Sequence, residues 1–227
     1  MKIKKLFLLL AVVLMAASAS AQDENPTINW PYLYPDFVEG ELMQVGGKTA
    51  KAMYNIHLGR GGLHVVENGV IGEITTQGVI MVTVGEDIFR NVGGKMLKVL
   101  ADAKHGYVVH ETLADYSAVV RDDGAYGGSL SNAAKGFSYD ENYGNYGYLV
   151  TNNYEDLLSI KNDSEELAVT TNTYLVIDNQ LYQANKKSVL AIEGIDKKAF
   201  GEFLKVNDIK WKNVDDLVKV VDYITEK

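Results

Sequence analysis

Cysteine is absent from all 227 residues, and histidine occurs only four times. The first absence excludes a disulfide framework, a thiolate metal site and a cysteine nucleophile. No G-x-S-x-G is present either, so nucleophilic catalysis lacks its usual marks. Basic residues are the minority, 22 against 30 acids. That balance opposes any role built on phosphate backbones or anionic lipid. Beyond the first residues there is no long apolar run, so no membrane span is expected in the mature chain.

What is there begins with MKIKKLFLLLAVVLMAASASAQ. Lys2, Lys4 and Lys5 precede an apolar run from Leu6 to Met15, and small residues then lead to Ala19-Ser20-Ala21. This is the order of a secretory signal peptide over residues 1–21, with cleavage expected before Gln22. The run is shorter than the roughly 20 apolar residues a bilayer span needs. The expected address is therefore the periplasm, the cell surface or the extracellular space.

From Phe37 to about Arg121 the pattern has period two, interrupted at short intervals by Gly, Asn and Asp. It predicts many short antiparallel strands joined by tight turns, forming a β-rich lobe over 22–121. The expected strands are FVEGELMQ, KAMYNIHL, LHVVE, VIGEI, VIMVTV, IFRNV, KMLKVLAD, YVVHE and YSAVVR, with the strongest hairpin signal at Asn68-Gly69. Residues 122–147 lose all periodicity to Gly, Tyr, Asn and Ser, which predicts a linker or loop. Over 148–227 the expected lobe is a hairpin turning at Asp178-Asn179, followed by two helices. Asp196 caps the first, which carries Phe200, Phe203 and Leu204 on one face. Asn213 caps the second, with Asp216 completing a capping-box-like pair and Val214, Leu217, Val218, Val221 and Ile224 in one stripe. Ile209 and Trp211 are expected to plug the same core. The expected fold is α+β: an N-terminal antiparallel β-meander, as sheet, half-barrel or sandwich, with a C-terminal hairpin and two-helix cap.

The tail TYLVIDNQLYQANKKSVLAIEGIDKKAFGEFLKVNDIKWKNVDDLVKVVDYI resembles that of a group of exported, uncharacterised β-rich proteins of Bacteroidota. Upstream, AMYNIHL and VTVGEDIFRNVGGKMLKVL resemble the front half of that group, and 122–147 resembles its Tyr- and Ser-rich middle. The resemblance implies an envelope location and a fold type, and it transfers no catalytic residue.

One stretch brings chemistry-bearing residues together: YNIHLGRGGLHVVENGVIGEI, residues 54–74. With GRGG as a hairpin tip, His57 would pair with His64; with Asn68-Gly69 as a type I′ turn, His64 would pair with Glu73. The row His57, His64, Glu73 is a ligand set for zinc or non-haem iron. The opposite face would collect Tyr54, Ile56, Leu58, Leu63, Val65, Val70 and Ile74 as core. A straight row grips a metal less well than a triangle, so these imidazoles are expected on the solvated face, titrating near their ordinary value. GRGG opens no helix, so a phosphate-loop reading fails. Asp140 and Asn142 begin a calcium-like loop that lacks its central Gly and closing Glu.

These observations favour an exported, non-catalytic envelope protein that binds a partner protein or a glycan, with no cofactor and no nucleic acid. The alternatives are a metal-dependent enzyme or metal-binding protein centred on His57, His64 and Glu73, and an accessory subunit of an envelope complex.

Overall fold

Period-two alternation becomes β2 (Val38–Gln44), β3 (Thr49–His57), β4 (Gly62–Glu67), β5 (Val70–Ile74), β6 (Val79–Val84), β7 (Asp87–Val92), β8 (Lys95–Ala103) and β9 (Gly106–Ala114). The computed structural model describes residues 27–115, 138–140, 145–148, 153–159, 161 and 166–226. The leader, the YSAVVR stretch and most of the 122–147 connection, with the Asp140/Asn142 motif as a loop, lie outside them. Before the meander comes a two-residue strand, β1 (Thr27–Ile28), which no periodicity announces. A separate pair, β10 (Ser138–Asp140) and β11 (Asn145–Tyr148), runs antiparallel. Then follow α1 (Tyr154–Ser159), β12 (Leu167–Ile177), β13 (Gln180–Gln183), α2 (Lys186–Val189), α3 (Lys197–Val206) and α4 (Val214–Thr225).

The main sheet runs β1-β12-β9-β8-β7-β6-β2-β3-β4-β5, with β13 added alongside β12. β12 pairs with β9 from Val169 opposite Ala114 to Ile177 opposite Gly106, so strands from both sides of the 122–147 connection share one sheet. Turn chemistry sets the registers. Asn68 and Gly69 both have positive φ (52° and 77°), and Glu67 faces Val70 across them. Asp178 and Asn179 do the same (49° and 61°) between β12 and β13. Both pairs match the type I′ geometry whose twist suits a two-residue hairpin.

The sheet curls into a half-barrel. Leu42, Tyr54, Ile56, Leu63, Val82, Phe89 and Met96, from six different strands, fill one core inside the curl. Farther along, Val108, Leu175 and Ile177 pack under the helices against Phe200, Leu217, Val220 and Val221. The architecture is thus an α+β antiparallel β-meander half-barrel with C-terminal strands and short helices packed on it. Ile209, Trp211, Val218 and Ile224 join this second core, as their spacing predicts. The caps form as expected at Asp196 and Asn213. The box does not close: the Asp216 carboxylate accepts from Lys210 N–H (3.1 Å) and from Lys219 instead. Among the described residues no helix is long and apolar enough to cross a membrane.

Candidate functional site

The β3–β4 hairpin turns at Leu58–Gly61, not at GRGG. Ile56 faces Leu63, His57 faces Gly62, and His64 faces Asn55 rather than His57. The register differs from the expected one by two residues, because the Gly61 N–H bonds back to the His57 carbonyl (2.9 Å) and tightens the tip. A two-residue shift keeps every side chain on its face. His57, His64 and Glu73 therefore still share one face, with His64 opposite Glu73 as the turn at Asn68-Gly69 requires. Of the opposite face, Tyr54, Ile56, Leu58, Leu63 and Val65 are buried, while Val70, at the strand end, is exposed.

The imidazoles are not solvated. His57 is 3% exposed and His64 8%. Their cover is the segment Trp30–Phe37, which runs beside β3 and bridges to it at Tyr32–His57. Leu33 N–H bonds to Ile56 O (2.9 Å), and Leu58 N–H bonds to Pro31 O (2.8 Å). Trp30, Tyr32, Phe37, Ile71 and Leu157 of α1 make an apolar roof. Beneath it the two imidazole rings stack, centroids 5.0 Å apart and planes 19° apart. The Tyr32 hydroxyl lies 2.8 Å from His64 Nδ1. Gly59 N–H donates to His57 Nδ1 (3.1 Å), which places the proton on His57 Nε2, an atom with no hydrogen-bond partner among the described residues. Burial, the neighbouring His64 and the Arg60 charge together hold His57 well below the ordinary imidazole value. Burial, then Arg60, brings His64 down to about 4.

Glu73, opposite His64, reaches a cation. Its carboxylate is half-exposed and lies 3.7 Å from the Arg60 guanidinium. Gly62, facing His57, leaves the room for this. A Cβ there would sit 3.3 Å from Glu73 Oε1 and 3.8 Å from His64 Nε2. Among the described residues, no group of three His, Cys, Asp or Glu side chains is placed to hold a metal ion.

Arg60 and Glu73 instead border a cleft of about 670 Å³ at the end of the curl. Four stretches build it: the hairpin tip, the β5–β6 connection with Thr75 and Thr76, the β7–β8 turn with Gly93 and Gly94 followed by Lys95, and Leu113 of β9. Met96 N–H bonds to Gly61 O (3.1 Å), and this stitch brings the tip onto β8. Gly61 has φ of +69°, and a Cβ on it would touch that of Lys95 at 4.0 Å. Arg60 and Lys95 consequently leave neighbouring backbone positions. Lys95 Nζ donates to Glu111 Oε1 (2.5 Å), a buried carboxylate that also accepts from the Tyr174 hydroxyl (3.1 Å). Thr76 Oγ1 donates to Gly94 O (3.1 Å). Of this cleft the sequence signals the glycine-flanked Arg60 and, as a candidate metal ligand, Glu73. Lys95, Thr75 and Thr76 carry no motif, and only sheet curvature brings them together.

His105 and His110 lie apart from this site: His105 in the turn after β8, His110 on β9, where partial burial and then Lys98 lower it. Lys98 Nζ donates to Asp87 Oδ2 (2.7 Å), and the Tyr34 hydroxyl donates to the same oxygen (2.5 Å). Burial and that bond push the Tyr34 hydroxyl far above its ordinary value, so it serves as a donor and not as a base. Compared with protein-family models, with curated protein sequences and with solved structures, the chain matches none.

Proposed function

We propose that this chain is an exported, non-catalytic binding protein of the cell envelope, and that its ligand sits in the cleft beside Arg60. The leader pattern and the resemblance to exported Bacteroidota proteins support the address. The cleft carries the binding role. It has the volume of a small-molecule site, it is assembled from four separate stretches, and its polar groups are hydroxyls and paired charges. Among the described residues no nucleophile stands beside a base in it, which favours binding over turnover.

The test is capture of glycans and envelope extracts on the purified protein, with mass spectrometry of what is retained. Wild type should retain a discrete ligand that Arg60→Gln does not. Equal retention by the two proteins would remove the cleft from the reading.

A second reading, a partner-protein or accessory-subunit role, has its own support. Met43, Met53, Ile80 and Ile88 stand exposed on the four adjacent strands β2, β3, β6 and β7. Loss of a co-purifying protein on Met43→Lys/Met53→Lys, with ligand capture unchanged, would favour it.

A further inference from the structure

We propose that the strap of residues 30–33 is an acid-released cover, lifted from β3 and β4 when the stacked imidazoles beneath it take up protons. It stands independently of what the cleft binds. His57 and His64 lie with ring centroids 5.0 Å apart and planes 19° apart, so a second proton is placed against the first. The bonding of His57 suits only the neutral ring. Gly59 N–H donates to its Nδ1 at 3.1 Å. An imidazolium is a donor at both nitrogens, so two N–H groups would then face each other. Its Nε2 is buried with no partner among the described residues, so a charged ring finds no acceptor on that side either. Among the described residues no third ligating side chain completes a metal set with the pair, which leaves protonation as its open chemistry.

The groups around the pair do little for such a charge. Trp30 and Tyr32 come from the strap, Phe37 from just after it, Ile71 from β5 and Leu157 from α1. The Tyr32 hydroxyl lies 2.8 Å from His64 Nδ1. Lys161 stands 4.5 Å from the centre of the Trp30 ring. The hairpin tip brings Arg60, whose charge opposes protonation of both rings, and β5 brings Glu73, whose carboxylate lies 3.7 Å from Arg60. Charged imidazoles are relieved by water, and water reaches them when the cover moves. Two backbone bonds join the strap to the end of β3, Leu33 N–H to Ile56 O and Leu58 N–H to Pro31 O. Its flanks are held by groups that do not titrate here: the β1–β12 pairing before it, and the Asn55 amide on Tyr34 and Asp36 O after it. β3 itself is paired on both sides, by β2 and β4. Segments with few backbone bonds open locally before strands held on two sides. The strap lifts and the sheet stays.

The two tryptophans allow a direct test, since Trp211→Phe leaves Trp30 alone and Trp30→Phe leaves Trp211 alone. Trp30 emission should move to longer wavelength in one step as pH falls from 6.5 towards about 4. Over the same range Trp211 emission and far-ultraviolet circular dichroism should hold steady. In proton NMR of the wild type, the His57 and His64 rings should titrate at the pH of that step. His57→Gln/His64→Gln, added to Trp211→Phe, should abolish the step; where that variant does not close the strap at any pH, the wild-type resonances decide. A step that persists without the two histidines, or rings that titrate at another pH, would overturn their role. Trp30 and Trp211 changing together would show unfolding of the whole molecule and overturn the strap as a separate device. Trp30 emission that stays constant down to about pH 4 would overturn it as well.

Discussion

Asn55 shows how much one side chain organises here. Fully buried on β3, it donates to Tyr34 O (2.9 Å) and Asp36 O (2.7 Å), and accepts from Tyr34 N–H (3.1 Å) and Ile56 N–H (2.8 Å). It thereby folds the Tyr34–Asp36 bend that lays the aromatic roof over the imidazoles. Asn55→Ala leaves these backbone groups short of partners and should cost about 2–3 kcal/mol, the penalty of stranded buried polar groups. Urea denaturation checks it, and a loss below about 0.5 kcal/mol, the range of ordinary surface changes, would contradict this role. The imidazoles make a second prediction. Burial keeps His64 neutral when folded, so as pH falls below 6.5 the unfolded chain takes up its proton first. The stabilisation is complete above 6.5 and is lost as pH falls towards about 4, amounting to about 3 kcal/mol from His64 alone. His57 adds to it in the same direction. Urea midpoints between pH 7.5 and 5 should fall more steeply for wild type than for His57→Gln/His64→Gln; parallel slopes would refute the burial. The sequence placed these histidines on one face but not under cover. Period-two alternation reports the strand that carries a residue, whereas the cover is the irregular segment Trp30–Phe37, which has no period to read.

Among the elements, hairpins and capped helices were the most legible. Asn68-Gly69 and Asp178-Asn179 each need positive φ at two successive residues, a demand that few residue types meet, so the turn and the register come together. The β3–β4 tip was less legible, because a glycine-rich run admits several turns and a backbone bond from β8 helps select among them. The helix stripe on α4 was read correctly in the main, though Val220, fully buried, was left out of it. That helix lies across the sheet rather than along one partner, so its apolar face is wider than a single stripe. Leu217, 1% exposed within that core, should cost about 2–5 kcal/mol on Leu217→Ala, by lost transfer energy and the cavity left behind. Thermal or urea unfolding measures it, and a surface-like loss would mean that α4 does not pack on β8, β9 and β12.

At the scale of the whole molecule, one sheet carries both cores. β8 supplies Met96 to the barrel interior and Leu100 and Ala103 to the surface beneath the helices. The chain's two tryptophans report on opposite ends of it: Trp30 in the aromatic roof and Trp211 beside α4. With the shared sheet, fluorescence transitions in urea should coincide for Trp30→Phe and Trp211→Phe, once each is corrected for its own stability change. Two separated midpoints would show that the halves unfold as independent units. The segment that holds Trp30 has one more consequence. Thr27 and Ile28 pair with Ala168 and Leu167 of β12, and a few residues later Tyr32 bridges to β3. This stretch therefore spans the gap between two strands that lie far apart in the sheet order. A ribosome delivers it before any strand of the barrel and delivers its β12 partner more than a hundred residues later. Until then the curl stays open along that seam. Growing chains should thus remain loose and reactive to solvent until β12 emerges, so that closure marks a finished molecule and not a finished front half.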